Sequence, residues 1–136
     1  MREKFLDYMK NDCPICTFFS IEPLECKAGY SKAQMPLSDN QINGLGIAHG
    51  GALFTLADMT MVMVLVAGGN ICVTLSSNVS YFVPAKKGPL VAEAFLISET
   101  KKIAHVEVNI KDAEETLVCR CSFIAYKKPA AMPEVF

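Results

Sequence analysis

Residues 51–69 read GALFTLADMTMVMVLVAGG, and the only charged side chain in this stretch is that of Asp58. A helix that is apolar on every side is normally wrapped by the rest of its own protein. A membrane span is the alternative, because about 18 apolar residues can cross a bilayer. The flanking glycines, the lack of aromatic or basic anchors and the alternating segments that follow favour a buried helix. We therefore predict one central helix over 51–69 and no membrane partner.

Downstream of this helix, residues 72–83 alternate between polar and apolar side chains, as a strand with one polar face does. The polar side chains fall on one face, namely Thr74, Ser76, Asn78 and Ser80. The apolar side chains fall on the other, namely Val73, Leu75, Val79 and Tyr81. A turn over 84–89 and further strands over 90–99, 103–111 and 116–127 follow. Four strands joined by short turns predict an antiparallel meander.

Upstream of the helix, residues 2–10 fit a short helix that ends at the Asn11-Asp12-Cys13-Pro14 cluster. Strands are predicted over 18–27 and 30–36, followed by a polar loop over 37–48. The tail after Lys128 contains two prolines and is expected to be loose. We predict a single α+β domain over 1–136, with a core over about 18–127 in which an antiparallel sheet wraps around one helix.

The composition restricts the partners of such a domain. With 13 basic and 14 acidic residues, the net charge is −1, and no basic run is present, so nucleic acid is not an expected partner. The N-terminal residues mix both signs of charge and lack the apolar segment of a signal peptide, which favours a cytoplasmic location. The 6 scattered cysteines are then expected to stay reduced. A hydrophobic content of 51% suits a domain that also hides surface against a second subunit.

Asp58 requires an explanation, because a carboxylate inside an apolar helix costs several kcal/mol unless it is paired, hydrated or used. A structural role would give it a hydrogen bond from a nearby hydroxyl, such as that of Thr55 or Thr60, or a buried lysine partner. A functional role would make it a catalytic carboxylate with a perturbed pKa. Both alternatives stay open at this level.

The residues His49-Gly50-Gly51 lie directly before the helix. Backbone N–H groups at a helix start favour negative charge, so this turn is a candidate oxyanion site, although glycine pairs are common in ordinary loops. Gly50 and Asp58 are separated by about 12 Å along a helix axis and by about 80° around it. If both act on one substrate carbonyl, they must come from different subunits, and a two-fold dimer would supply two such sites.

Two spaced patterns surround these residues. The first runs from Asn43 through Gly46 and His49-Gly50-Gly51 to Asp58, and the second from Asn78 through Tyr81 and Pro84-Ala85 to Gly88. Together they resemble the PaaI-like branch of the hotdog thioesterases over about residues 20–127. The resemblance implies a hotdog fold, hydrolysis of acyl-CoA thioesters without a cofactor or metal, and a homodimer that is able to pair into a tetramer.

The resemblance also implies roles for individual residues. Asp58 would act as nucleophile or as general base for water, and the Gly50 N–H of the facing subunit would polarise the thioester carbonyl. Asn43 would orient the carbonyl or the water, and His49 would hold the loop in shape and could also contact the substrate. Thr74, early in the following strand, would help to place the water.

Further candidates for substrate binding are Gly51, at the helix start, and Lys86 and Lys87, in the turn after the strand. The two lysines are placed to meet CoA phosphates, although exposed lysines in a turn are usually only solvated. The chemistry needs little else, because the thiolate is a good leaving group and one carboxylate with an oxyanion site suffices.

Cysteines and a second histidine offer weaker candidates. Cys13-Pro14-Ile15-Cys16 has the spacing of a redox pair or half a zinc site, but it lacks a βαβ setting and a second cysteine pair. Cys119 and Cys121 are expected to be small core residues. His105 is expected to lie on a strand surface.

Two other functions remain open beside hydrolysis. The first is a non-catalytic acyl-CoA binding module of the same fold, and the second is a hotdog dehydratase or hydratase with a paired His and carboxylate. A hydratase would leave the CoA thiol bound, whereas a thioesterase would free it. The preferred acyl group does not follow from the sequence.

Overall fold

The computed structural model describes residues 1–129, so the predicted loose tail over 130–136 lies outside the described residues. Two helices and two strands come first, namely α1 (Arg2–Asn11), α2 (Pro14–Phe19), β1 (Glu22–Lys27) and β2 (Tyr30–Met35). The central helix and four strands follow, namely α3 (Gly50–Ala67), β3 (Asn70–Tyr81), β4 (Leu90–Glu99), β5 (Ile103–Lys111) and β6 (Leu117–Pro129). This is the α+β arrangement predicted from the sequence.

The six strands form one antiparallel sheet in the order β1-β2-β4-β5-β6-β3, and α3 packs against its inner face. By length and composition, α3 could cross a membrane. In this fold, however, most of its side chains pack into the core, and those of Leu56, Ala57 and Met61 are completely buried. On β5 the predicted alternation is confirmed, because its inward-facing residues are all buried. These are Ala104, Val106, Val108 and Ile110.

The predicted four-stranded meander is wrong for its first strand, β3. β3 pairs with β6 at the edge of the sheet and not with β4, so only β4, β5 and β6 form a meander. The segment over 82–89 is therefore a crossing connection, held by hydrogen bonds from the Phe82 N–H to the Val118 carbonyl and from the Ala48 N–H to the Ala85 carbonyl. Turn residues mark where a strand ends, but they do not fix which strand becomes its neighbour.

The predicted polar face of β3 is also wrong, because the strand contains a bulge between Thr74 and Ser76. Thr74 pairs with Ala125, but Ser76 already pairs with Ile124, so Leu75 is the extra residue. A bulge of this kind breaks the alternation of side chains. Ser76 consequently shares the outer face with Ile124, while Thr74 faces α3.

The N-terminal region differs from its prediction by one helix. The first helix ends at the Asn11–Pro14 cluster, as predicted, but Pro14 also occupies the first turn of a second helix, α2, where proline is favoured, and Cys13 caps that helix. Ser20, with a left-handed φ of 58°, ends α2, so the predicted strand over 18–27 begins only at Glu22.

Candidate active site

Asp58 lies in the middle of α3, half-buried against β3. The Thr74 hydroxyl donates a hydrogen bond of 2.8 Å to its Oδ1 atom. Burial raises the pKa of the Asp58 carboxyl, and the bond from Thr74 offsets part of that rise. Within residues 1–129 no group donates to Oδ2, so one carboxylate oxygen is fixed and the other is open to a water molecule or a substrate.

The structural partners considered for Asp58 are not the ones it has. The Thr55 hydroxyl donates to the Gly51 carbonyl and the Thr60 hydroxyl to the Leu56 carbonyl, each one turn back along α3. Among the described lysines, none forms an ion pair with Asp58. The hydroxyl that does reach the carboxylate is that of Thr74.

The thiol of Cys72 belongs to the same surroundings. Burial raises its pKa to about 12, and the nearby charge of Asp58 acts in the same direction. A thiol with so high a pKa remains protonated at neutral pH. The carboxylate of Asp58 is therefore the basic group at this position.

The start of α3 is the second part of the site. His49 caps the helix, and its Nδ1 atom accepts the Gly51 N–H at 2.9 Å. The Gly51 N–H, a predicted substrate contact, is thus already engaged within the chain. Within residues 1–129 no group accepts from the Gly50 N–H, which therefore remains available to a ligand.

Tyr81 covers Gly50 from the end of β3. Its hydroxyl donates to the Gly50 carbonyl at 3.0 Å, and a Cβ atom at position 50 would lie only 3.2 Å from the ring. A side chain at position 50 would therefore force this turn and the Tyr81 ring apart by a few tenths of an ångström. In the sequence, Tyr81 is recognisable only as a member of a spaced pattern, and no other signal indicates a contact with Gly50.

Asn43 shapes the loop that leads to the helix. Its Oδ1 atom accepts the Leu45 N–H at 2.8 Å, and its backbone N–H donates to the Ile47 carbonyl at 2.9 Å. No group within the described residues accepts from its side-chain NH₂. That NH₂ is the part of Asn43 available to a carbonyl or a water.

An apolar groove of about 370 Å³ opens beside the Gly50 end of the helix. Its walls come from the end of the loop, the first turns of α3 and the connection after β3. Its lining includes Leu53, Tyr81, Phe82, Val83 and Pro84.

The two predicted phosphate contacts differ from each other. Lys87 forms an ion pair with Glu114, whose proximity raises the pKa of Lys87. Lys86 is exposed, and no carboxylate of the described residues pairs with it. Of the two lysines, Lys86 is the one with a free charge.

The remaining candidates lie away from this site. Cys13 and Cys16 are both buried at the start of α2, and burial raises the pKa of the Cys16 thiol. Within residues 1–129 no three His, Cys, Asp or Glu side chains converge to hold a metal ion. Cys119 and Cys121 are core residues as predicted, and His105 is exposed on β5 as predicted.

The two halves of the site are separate within one chain. α3 is continuous from Gly50 to Ala67, so Gly50 and Asp58 lie about 12 Å apart along its axis. A thioester carbonyl held at Gly50 would not reach Asp58 of the same chain.

Comparison with known proteins gives a family match and a fold match. The model of the thioesterase superfamily matches residues 45–119. An Archaeoglobus fulgidus protein named "Putative esterase" is 27% identical over 128 residues, which cover 93% of this chain and 83% of that protein. The E. coli PaaI protein from the phenylacetic acid degradation operon superposes with a TM-score of 0.86 over 93% of each chain, at 19% identity.

A Streptococcus pneumoniae hypothetical thioesterase, solved with coenzyme A, is 25% identical with a TM-score of 0.76 over 80% of this chain and 89% of that one. Two further structures of a hypothetical thioesterase from that strain carry single alanine substitutions. One replaces an aspartate and the other a threonine, and the two positions are 16 residues apart.

Proposed function

The chain belongs to the thioesterase superfamily, and from that membership we propose that it hydrolyses acyl-CoA thioesters to the free acid and CoA. The hotdog fold predicted from the sequence is confirmed, and the chain is a thioester hydrolase. The observation that carries the finer proposal is the half-buried Asp58, with one oxygen held by Thr74 and the other open. The coenzyme A bound to the Streptococcus protein supports CoA as the thiol part of the substrate.

Asp58 is the residue to which we assign activation of the attacking water. Burial raises its pKa, which makes the carboxylate a stronger base than an exposed aspartate. Thr74 fixes Oδ1, so that Oδ2 points in a defined direction. The aspartate and threonine replaced in the Streptococcus structures have the spacing of Asp58 and Thr74, which supports assigning the pair to the reaction.

The Gly50 N–H is assigned to the thioester carbonyl oxygen. As Asp58 takes a proton from water, the new C–O bond forms and negative charge develops on the carbonyl oxygen, where a backbone N–H stabilises it. The C–S bond then breaks, and the proton held by Asp58 passes to the leaving thiolate. Direct attack by the carboxylate, followed by hydrolysis of the anhydride, would use the same two groups.

A homodimer is needed for this chemistry, because Gly50 and Asp58 are about 12 Å apart along one α3. β3 is an edge strand of the sheet, and it carries exposed apolar side chains. The exposed fraction is 65% for Val73 and 57% for Leu75. An exposed apolar edge is a surface that proteins normally cover. We assign this edge to the subunit contact, which would set each Gly50 against the facing subunit's Asp58.

Release of free thiol from a panel of acyl-CoAs tests the proposal. The wild-type protein is expected to free CoA from at least one of phenylacetyl-, benzoyl-, short-chain and medium-chain thioesters. Asp58→Asn should reduce the rate by about a thousandfold or more, because the base or nucleophile is lost. Asp39→Asn, at an exposed position in the preceding loop, is the matched control and should keep full activity.

The outcomes separate the alternatives. Binding of thioesters without release by the wild type would favour the binding module, and hydration of an enoyl-CoA without thiol release would favour the hydratase. An active Asp58→Asn variant would contradict the role given to Asp58. A monomeric mass in solution with full activity would contradict the shared site.

A cytoplasmic location is part of the proposal. All 6 cysteines are free, and 4 of them are buried, as suits a protein kept under reducing conditions. Fractionation of cells that produce the chain, followed by immunodetection, would test it.

A further inference from the structure

Gln41 is a fully buried amide in the loop before α3, at a position outside the stretch matched by the superfamily. Its Nε2 atom donates to the Phe19 carbonyl at 2.6 Å. Its Oε1 atom accepts the Ser38 N–H at 2.9 Å and the Ser38 hydroxyl at 2.7 Å. A buried amide with such a set of partners has a single orientation, because each alternative would leave polar atoms unpaired.

On the α2 side, the Gln41 side chain contacts the end of the helix. Phe19 is the last residue of α2, and carbonyls in the last turn of a helix have no partner within the helix. The Gln41 side chain supplies that partner. The position of residue 41 is therefore tied to α2.

The backbone of Gln41 is tied to the active site. The His49 N–H donates to the Gln41 carbonyl at 2.7 Å, and the bridge between Ile42 and Ala48 closes the loop next to it. His49 in turn accepts the Gly51 N–H through its ring. A continuous chain of hydrogen bonds thus runs from the end of α2 through Gln41 to the turn that carries the Gly50 N–H.

We propose that Gln41 is a positioning residue of the thioesterase reaction, which it serves by holding the His49–Gly50 turn against α2. The proposal rests on the function assigned to Gly50 above. An oxyanion donor acts only when it points at the developing charge, so a small shift of this turn lowers the rate of the chemical step. Binding of CoA, which depends on other contacts, is affected far less.

Gln41→Met tests this role, because methionine has nearly the same size and shape but no hydrogen-bonding amide. We expect kcat per CoA-binding site to fall by about tenfold or more, with KM changed by less than about threefold. Amide exchange at His49 should become about tenfold faster, because its acceptor is no longer held in place. Counting binding sites by CoA titration removes any loss that comes from unfolded protein.

Asn40→Ala is the matched control. Asn40 also donates its side-chain N–H to a carbonyl of α2, that of Phe18 at 2.9 Å, but it is exposed and its carbonyl does not accept from His49. We expect its kcat and the exchange rate at His49 to match those of the wild type. Should Gln41→Met fail to fold, Ser38→Ala removes one bond to Oε1 and should lower kcat by about threefold.

The result that overturns the proposal is an unchanged kcat per site in Gln41→Met, or in Ser38→Ala where that variant is the one that folds. Equal losses in Gln41→Met and Asn40→Ala would also overturn it. Failure of the proposed function is a different result, because the wild type would then release no thiol while the exchange at His49 still differed between the variants.

Discussion

The two halves of the site are built in different ways, although both belong to α3. At the start of the helix the functional group is a backbone N–H, and its environment depends on a missing side chain at Gly50 under the Tyr81 ring. In the middle of the helix the functional group is the Asp58 carboxylate, held by a hydroxyl from β3. The first half of the site is therefore sensitive to added atoms, and the second half to removed ones.

The sharpest test of this division combines one defect of each kind in a mixed dimer. Asp58→Asn and Gly50→Ala chains are each expected to have less than about one hundredth of wild-type activity as pure dimers. In a mixed dimer, one site carries both defects and the other carries none. Unfolding and refolding an equal mixture should therefore restore about a quarter of the wild-type activity. A mixture no more active than its components would contradict the shared site.

Gly50→Ala by itself should lower kcat by about a hundredfold, because the added Cβ lies 3.2 Å from the Tyr81 ring, so that the Gly50 turn and the ring must move apart and the N–H loses its alignment with the carbonyl. Gly44→Ala is the control, since a Cβ there meets no atom within 4 Å. Steady-state kinetics of the two variants measure the difference. Equal activity would show that the space over Gly50 is unimportant.

Thr74→Val should lower kcat at neutral pH by about tenfold and change its pH dependence. The Thr74 hydrogen bond lowers the pKa of Asp58, so its loss raises that pKa further. The reaction needs the ionised carboxylate, and activity is lost as pH falls through this pKa. The acidic limb of the pH–rate profile therefore moves to higher pH in Thr74→Val and returns in Thr74→Ser. An acidic limb that stays in place would separate Thr74 from Asp58.

Lys86→Ala is expected to have the smallest effect, a rise in KM for acyl-CoA of about twofold to threefold at low salt. The cause is the loss of an exposed charge that no described carboxylate neutralises. Lys87→Ala should change KM less, because Lys87 is already paired with Glu114. The difference should vanish at high ionic strength, and its persistence there would exclude a simple charge effect.

The sequence predicted the parts of this molecule that depend on local pattern. The run over 51–69 indicated α3 within two residues at either end, and the bounds of β4 and β5 were correct. Asp58 and Thr74, to both of which the resemblance assigned roles in the site, lie in hydrogen-bond contact.

The parts that were missed depend on contacts between distant segments. The pairing of β3 with β6 follows from how the sheet covers α3, and no turn residue encodes it. The contact of Tyr81 with Gly50 and the anchoring of Gln41 are tertiary contacts that a single sequence does not display.

The bulge in β3 has a consequence for both halves of the site. Thr74 and Tyr81 are an odd number of positions apart, so a regular strand would direct one of them to solvent. The extra residue at Leu75 corrects this parity, and both side chains face α3. The alternation of inward and outward side chains is thus shifted by one residue between the two halves of β3. Deletion of one residue between them would leave either Thr74 facing Asp58 or Tyr81 facing Gly50, but not both. An insertion or deletion in this strand would therefore separate the residue that holds Asp58 from the residue that covers Gly50.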